Sequence, residues 1–132
     1  MVDIKSKKYI SWEEIDNLVD KLSHTLPPHI DSIMGLPRGG LIPAVILSHK
    51  LNLPLVSYHS NNTLIVDDIC DSGKTFADIH SHSPQLLFAC LHFKPHTSNF
   101  TPNFWAEVYE EDKWLIYPWE KDDADTIQDY LK

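Results

Sequence analysis

Two acidic residues stand side by side at the end of an apolar run. Asp67 and Asp68 follow residues 63–66, and a polar turn of residues 71–75 comes soon after them. A short apolar run bounded by turn signals predicts a strand buried on both faces, with the carboxylates at its carboxyl end. Open α/β sheets bind their ligands at that edge. Because adjacent carboxylates raise each other's pKa, a cation or ligand hydroxyl groups explain the pair better than a structural role.

The polar turn after the carboxylates has the chemistry of a phosphate-binding site. Its residues offer backbone N–H groups, hydroxyls and an ammonium at a predicted helix N-terminus: Asp71, Ser72, Gly73, Lys74 and Thr75. A P-loop ends in similar residues, but it needs a glycine where this chain has Asp68, and that carboxylate would repel the phosphate. We therefore reject a P-loop and predict a different phosphate cradle.

A second candidate anion site lies one predicted strand upstream, at Arg38, Gly39 and Gly40. Paired glycines let the backbone approach a ligand closely, in conformations that other residues avoid. Donors at a helix N-terminus again suit an anion. Arg-Gly-Gly is a weak signal by itself, since a tight turn with a surface arginine has the same sequence. Its position upstream of the first motif favours the binding interpretation.

The patterns around these residues predict the elements that position them. Helical spacing predicts helices over 12–26 and 41–51 and a short helix after residue 75, the first begun by a Ser11–Glu14 capping box. In the second helix Ile42, Val45, Ile46 and Leu51 are expected to face inward. Strands are predicted over 31–35, 53–58, 63–66 and 86–93, an antiparallel hairpin over 103–109 and 114–117, and a short C-terminal helix after residues 122–125.

Composition limits the class of protein. A chain of 132 residues predicts a single domain. A net charge of −8 argues against sequence-independent binding to nucleic acid. The two cysteines, Cys70 and Cys90, indicate free thiols rather than a disulfide framework. With neither an apolar stretch of about 18 residues nor a signal peptide, we expect a cytoplasmic protein without a membrane partner.

The motif over residues 63–75 resembles the 5-phosphoribosyl-1-pyrophosphate (PRPP) signature of the type I phosphoribosyltransferases. That signature is an apolar strand, two acidic residues, two variable positions, and then Asp-Ser/Thr-Gly-x-Thr, and each position matches. Pro37–Gly40 resembles the pyrophosphate loop of the xanthine–guanine branch, and Trp114–Glu120 resembles its base-binding segment. The resemblance implies an α/β fold, a twisted parallel sheet flanked by helices, with a small C-terminal hood over about residues 94–120.

The resemblance also implies roles for individual residues. Asp67 and Asp68 would hold the ribose hydroxyls and the water shell of Mg²⁺, and Asp71–Thr75 the 5′-phosphate. Asp71 would also be the general base for the purine N7 proton, while Arg38, Gly39 and Gly40 hold the pyrophosphate. Lys94, Trp114 and Leu115 would bind the base: the ammonium reaches the 6-oxo group, the indole stacks, and the carbonyl of Leu115 accepts from the purine. The simpler alternatives are a solvated Lys94 at a strand end and hairpin packing for Trp114.

The implied reaction joins a 6-oxopurine to PRPP and gives a nucleoside monophosphate and pyrophosphate. Family members usually carry a long mobile loop between two of the strands, but this chain has a short connection at 59–62. That departure keeps open a non-catalytic PRPP or nucleotide sensor, and a transferase for a different base is a further alternative. A homodimer is the expected assembly.

Overall fold

The computed structural model describes residues 6–121 and contains six strands and three helices in that range. In chain order they are β1 (Lys7–Tyr9), α1 (Trp12–Ser23), β2 (Ser32–Gly35), α2 (Leu41–Leu51), β3 (Thr63–Cys70), α3 (Lys74–His82), β4 (Leu87–Phe93), β5 (Phe104–Val108) and β6 (Trp114–Ile116). The main sheet has the strand order β2-β3-β4-β5 with every pair parallel, and β1 pairs with β6 in a separate parallel ribbon. The predicted parallel α/β sheet is confirmed.

Strand β3 is central because its apolar run is covered on both faces. Leu64 and Val66 pack into a cluster with α1 and α2, whereas Ile65 packs into a second cluster with Phe76 of α3. Consecutive side chains of a strand point to opposite faces, so one short apolar run contributes to both layers of the core. This arrangement holds the carboxyl end of β3 between its two neighbouring strands.

Helix α1 begins where its capping box predicts. The Ser11 hydroxyl accepts from the Glu14 amide at 3.1 Å, and the Glu14 carboxylate accepts from the Ser11 amide at 3.3 Å. The helix ends at Ser23, three residues before the predicted end. Helix α2 has the predicted bounds, but Val45 is 40% exposed rather than inward, and Pro43, Ala44 and Leu47 form the buried face.

The predicted antiparallel hairpin over 103–109 and 114–117 is wrong. Strand β5 pairs in parallel with β4, and β6 pairs with the N-terminal strand β1, which the sequence did not reveal. The ladder of β5 continues past its last residue, because the Tyr109 amide donates to the Phe93 carbonyl at 2.8 Å. The Leu115 and Ile116 side chains of β6 are then buried in the core.

The predicted strand over 53–58 shrinks to one bridge between Leu55 and Ile33. Pro54 has no N–H to donate, so the segment makes only part of a ladder at the edge of the sheet. The short C-terminal helix predicted after residues 122–125 lies outside the described residues. Within residues 6–121, no helix has the length and apolar character needed to cross a membrane.

Candidate active site

The two adjacent carboxylates lie inside β3 rather than after it. The strand runs on to Cys70, beyond its predicted end at residue 66, so Asp67 and Asp68 are both half-buried strand residues. The Asp68 amide donates to Asp67 Oδ1 at 2.9 Å, and the Ile69 amide donates to Asp68 Oδ1 at 2.8 Å. The carboxylates therefore fold back onto their own backbone at the ligand-binding edge of the sheet.

Burial raises the pKa of Asp68 to about 6. The hydrogen bond that joins it to Asp67 and the amide of Ile69 oppose this rise, and the negative charge of Glu120 adds to it. Desolvation disfavours the charged form of a carboxyl group, so ionised Asp68 is a costly group in the ligand-free protein. Such a group suits a site that receives a cation or hydroxyl donors with its ligand.

The loop before α2 approaches these carboxylates closely because two of its residues are glycines. A Cβ atom at Gly39 would overlap the Asp68 carboxylate, and one at Gly40 would overlap the Val66 carbonyl. The peptide bond between Pro37 and Arg38 is cis. The structure thus brings Gly39 and Gly40, and with them the loop that carries Arg38, to β3 beside Asp68 and Val66.

The phosphate-cradle turn ends in a left-handed glycine. Gly73 has φ +80° and is the N-cap of α3, which begins at Lys74 rather than after residue 75. The Ser72 hydroxyl accepts from the Lys74 amide at 3.2 Å. A cleft of about 410 Å³ opens beside this turn, lined by Ser72, Gly73, Lys74, Ala77, Asp78 and Asn99. The backbone N–H groups and the ammonium at this helix N-terminus can hold a phosphate there.

The structure brings two residues of opposite charge together across neighbouring strands. Lys94, at the end of β4, is 8% exposed, and its Nζ lies 3.8 Å from Asp71 Oδ2. Its backbone amide donates to the Cys70 carbonyl at 3.0 Å, which holds the ends of β3 and β4 in register. Lys94 is therefore not the solvated strand-end lysine of the simpler interpretation.

The proposed hood residues lie on β6, with Trp114 36% exposed and Leu115 buried. In the described part of the chain, no hydrogen bond or ion pair joins either residue to Lys94. Residues on either side of β6 connect it to the rest of the site. His96 Nε2, in the loop after β4, lies 3.9 Å from Asp112 Oδ1, and the Tyr117 hydroxyl donates to the Asp68 carbonyl of β3 at 3.3 Å. The segment that contains Trp114 is thus held against β3 and the loop after β4.

Sequence reasoning missed three side chains that support the site. The Thr97 hydroxyl donates to Asp71 Oδ1 at 2.7 Å, and the His92 Nδ1 atom lies 2.8 Å from the Tyr117 hydroxyl. Burial lowers the pKa of His92 to about 4, assisted by the charge of Lys8, so the imidazole is neutral at pH 7. A histidine within an apolar strand was the one available signal. No local pattern marked Thr97 or Tyr117.

Several proteins similar to this chain are phosphoribosyltransferases. No protein-family model matches the chain. The xanthine–guanine phosphoribosyltransferase of Cereibacter sphaeroides is 30% identical, over 85% of this chain and 86% of that protein. The protein of the same name from Gluconobacter oxydans is 29% identical, over 84% of this chain and 83% of its own. A crystal structure of a purine phosphoribosyltransferase from Pyrococcus horikoshii is 30% identical with a TM-score of 0.73, covering 92% of this chain and 98% of that one.

Proposed function

The chain belongs to the type I phosphoribosyltransferase family, and on that basis we propose that it is a purine phosphoribosyltransferase. It transfers the 5-phosphoribosyl group of PRPP to guanine, xanthine or hypoxanthine and releases pyrophosphate. The relatives named for purine or xanthine–guanine transfer support this acceptor class. The observation that carries the proposal is the pair of Asp71 and Lys94, 3.8 Å apart at the ends of neighbouring strands.

This pair matches two adjacent groups of a 6-oxopurine. The N7–H and the 6-oxo group lie on the same edge of the base, one a donor and the other an acceptor. In the proposed complex the Asp71 carboxylate accepts the N7 proton as general base, and the Lys94 ammonium donates to the 6-oxo oxygen. Adenine carries a donor at position 6, so the ammonium disfavours it. Trp114 stacks on the base, and the Leu115 carbonyl accepts from it.

In this proposal PRPP binds to the phosphate-cradle turn and the glycine loop, next to the base site. Ser72, Gly73, Lys74 and Thr75 bind the 5′-phosphate together with the backbone of Asp71, and the cleft beside them supports this assignment. Arg38, Gly39 and Gly40 bind the pyrophosphate, which the close approach of their loop to Asp68 supports. Carboxylates near the anomeric carbon stabilise the positive charge that develops there as the bond to pyrophosphate breaks.

The donor set fits Mg²⁺ as the cofactor. Asp67 and Asp68 present hard oxygen atoms, and Asp68 is half-buried with a raised pKa. Among residues 6–121 there is no group of three metal-ligating side chains, which suits an ion held through one or two carboxylates, waters and substrate phosphates. When bound, Mg²⁺ offsets charge on the departing pyrophosphate. Asp67 and Asp68 would hold its water shell and the ribose hydroxyls.

The main alternative is a sensor that binds PRPP or a nucleotide without turnover. The connection before β3 motivates it, because residues 57–62 are all exposed and too few to cover the site. Lids commonly exclude water from a reacting centre. A transferase for another base is the remaining alternative, and it predicts that changes at Lys94 leave base affinity untouched.

The deciding experiment measures pyrophosphate release from PRPP and Mg²⁺ with guanine, xanthine, hypoxanthine, adenine and uracil offered separately. We expect turnover with the three 6-oxopurines, and a loss of about 100-fold or more in kcat for Asp71→Asn. Lys94→Gln should raise KM for 6-oxopurines and leave KM for PRPP nearly unchanged. Lys113→Gln, an exposed control, should behave as wild type. Tight PRPP binding by calorimetry without turnover would support the sensor instead.

The assembly and location complete the proposal. We propose a single domain over 1–132 that forms a homodimer in the cytoplasm. Both cysteines are free and buried, which fits a reducing compartment. Leu41 and Val45 leave apolar surface exposed on α2, and a second copy of the chain would cover it.

A further inference from the structure

The Thr97 hydroxyl contacts Asp71 at two of its oxygen atoms. It lies 2.7 Å from Asp71 Oδ1 and 2.9 Å from the Asp71 backbone carbonyl. A hydroxyl has one proton to donate, and the two shorter contacts both belong to Asp71, whereas a third acceptor, the Lys94 carbonyl, is farther away at 3.4 Å. The shortest contact is to the Asp71 carboxylate, so Thr97 donates to a side chain twenty-six positions away in sequence.

The Asp71 carboxylate has few other restraints. Its side chain is 46% exposed, so packing does not fix its rotamer. Among the described residues, Lys94 is the other group that holds it, by an ion pair of 3.8 Å. If Lys94 turns to the 6-oxo group of a bound purine, its hold on Asp71 weakens. The hydrogen bond from Thr97 to Oδ1 does not compete with the base and can persist.

Thr97 is itself held in place before any ligand binds. Its amide donates to the Lys94 carbonyl at 3.2 Å, and the next amide, of Ser98, donates to the same carbonyl at 3.0 Å. The Asn99 amide donates to the Ser72 carbonyl at 2.9 Å. The loop that follows β4 is therefore tied to the end of that strand and to the phosphate-cradle turn, so the backbone that carries the Thr97 hydroxyl is held beside Asp71.

We propose that Thr97 is a positioning residue for Asp71. Its hydroxyl occupies Oδ1 and directs Oδ2 toward the edge of the base site, where the N7 proton of the purine is to be removed. The inference rests on the proposed function, which makes Asp71 the general base. A misplaced general base lowers kcat without weakening substrate binding, because its position matters in the transition state rather than in the bound complex.

Kinetics of matched variants test this role. We expect Thr97→Val, which keeps the shape and removes the hydroxyl, to lower kcat about 10- to 100-fold with KM for PRPP within about twofold. Thr97→Ser, which keeps the hydroxyl, should restore kcat to within about threefold of wild type. In an Asp71→Asn background, Thr97→Val should change kcat less than about twofold, because the two residues act as a unit. Thr101→Val, in the same loop, is the control and should equal wild type.

A second measurement does not depend on turnover. Three-bond couplings from the Asp71 carboxyl carbon to its backbone nitrogen and carbonyl carbon report the χ1 rotamer by NMR. We expect one rotamer in wild type and in Thr97→Ser, and averaged couplings in Thr97→Val. An unchanged single rotamer in Thr97→Val overturns the inference, as does a kcat loss that Thr97→Ser fails to restore. If wild type turns over no base, the proposed function fails, and these couplings alone decide whether Thr97 positions Asp71.

Discussion

Asp68 is a residue whose ionised form opposes folding. Its pKa is raised from 3.8 to about 6 by burial. A raised carboxyl pKa stabilises the folded state below the unfolded value, and that contribution is lost as the pH rises through the folded value. A difference of about two pKa units corresponds to about 3 kcal/mol at most between pH 4 and pH 8. The protein retains a group that weakens it, as binding sites commonly do.

Asp68→Asn should therefore stabilise the ligand-free protein at high pH. We expect the free energy of unfolding in urea to rise by about 1–3 kcal/mol at pH 8 and to change little at pH 4. Binding of PRPP with Mg²⁺ should be lost in the same variant. Asp112→Asn, at a side chain that is 92% exposed, is the control and should show no such pH dependence. Equal stability of Asp68→Asn and wild type at pH 8 would contradict the prediction.

His92 has the opposite pH dependence. Its pKa is lowered from 6.5 to about 4, so the unfolded chain binds a proton in this range and the folded protein does not. Stability from this residue is present above pH 6.5 and lost as the pH falls toward 4. In wild type the slopes from His92 and Asp68 oppose each other between pH 4 and 6. In Asp68→Asn only the effect of His92 remains, so the free energy of unfolding should fall as the pH is lowered from 6 to 4.

At the scale of elements, one buried hydroxyl joins the segment after β6 to the two central strands. Tyr117 is 2% exposed, its hydroxyl lies 2.8 Å from His92 Nδ1 on β4, and it donates to the Asp68 carbonyl on β3 at 3.3 Å. Neutral His92 can donate its Nδ1 proton to the same oxygen atom. The ring of Trp119 stacks on the Tyr117 ring, with 4.9 Å between the ring centroids. We call these two contacts of the Tyr117 hydroxyl, with His92 and with the Asp68 carbonyl, the brace. The brace holds the hood segment next to the carboxylates of β3.

Tyr117→Phe tests the brace. Removing the hydroxyl leaves buried polar groups without their partner, and we expect a loss of about 1–3 kcal/mol in the free energy of unfolding. The hood should also shift, so KM for the purine should rise more than KM for PRPP. The control is Tyr109→Phe, because the buried Tyr109 hydroxyl has no hydrogen-bond partner among the described residues. That change should be neutral or stabilising. A Tyr117→Phe protein as stable as Tyr109→Phe would refute the brace.

At the scale of the whole molecule, α2 leaves apolar side chains on its outer face. Residues 41–47 of this helix are all apolar, which is usual for a helix covered on all sides, yet Leu41 and Val45 are 42% and 40% exposed. Scattered apolar residues are ordinary on a surface, but a helix of this composition favours a covered position. A second copy of the chain is the occupant that we propose.

Sedimentation velocity of charged variants tests this interface. We expect the wild type to sediment as a dimer and Val45→Glu to shift to monomer at micromolar concentration, because an unpaired buried charge strongly opposes association. Val108→Glu is the matched control, since Val108 is 42% exposed at the end of β5, and it should leave the dimer intact. A monomeric wild type, or a Val45→Glu variant that stays dimeric, would exclude α2 as the interface.

The features predicted correctly from the sequence are those that local rules control. The capping box of α1, the bounds of α2 and the central apolar strand all follow from patterns within fewer than about fifteen residues, where backbone and side-chain preferences act directly. The motif over residues 63–75 and the glycine loop at 38–40 likewise identified the family without any distance in hand. Patterns of this kind state which segment forms an element and which chemistry it carries.

Which segments meet could be learned only from the folded structure. The sequence predicted that 103–109 would pair with 114–117, but β5 joins β4 and β6 joins β1, because burial of Leu115 and Ile116 in the core outweighs a short turn. The contacts of Asp71 with Lys94 and Thr97, and of Tyr117 with Asp68, span dozens of residues. Such contacts depend on how the whole sheet closes around its core, and no local propensity encodes them.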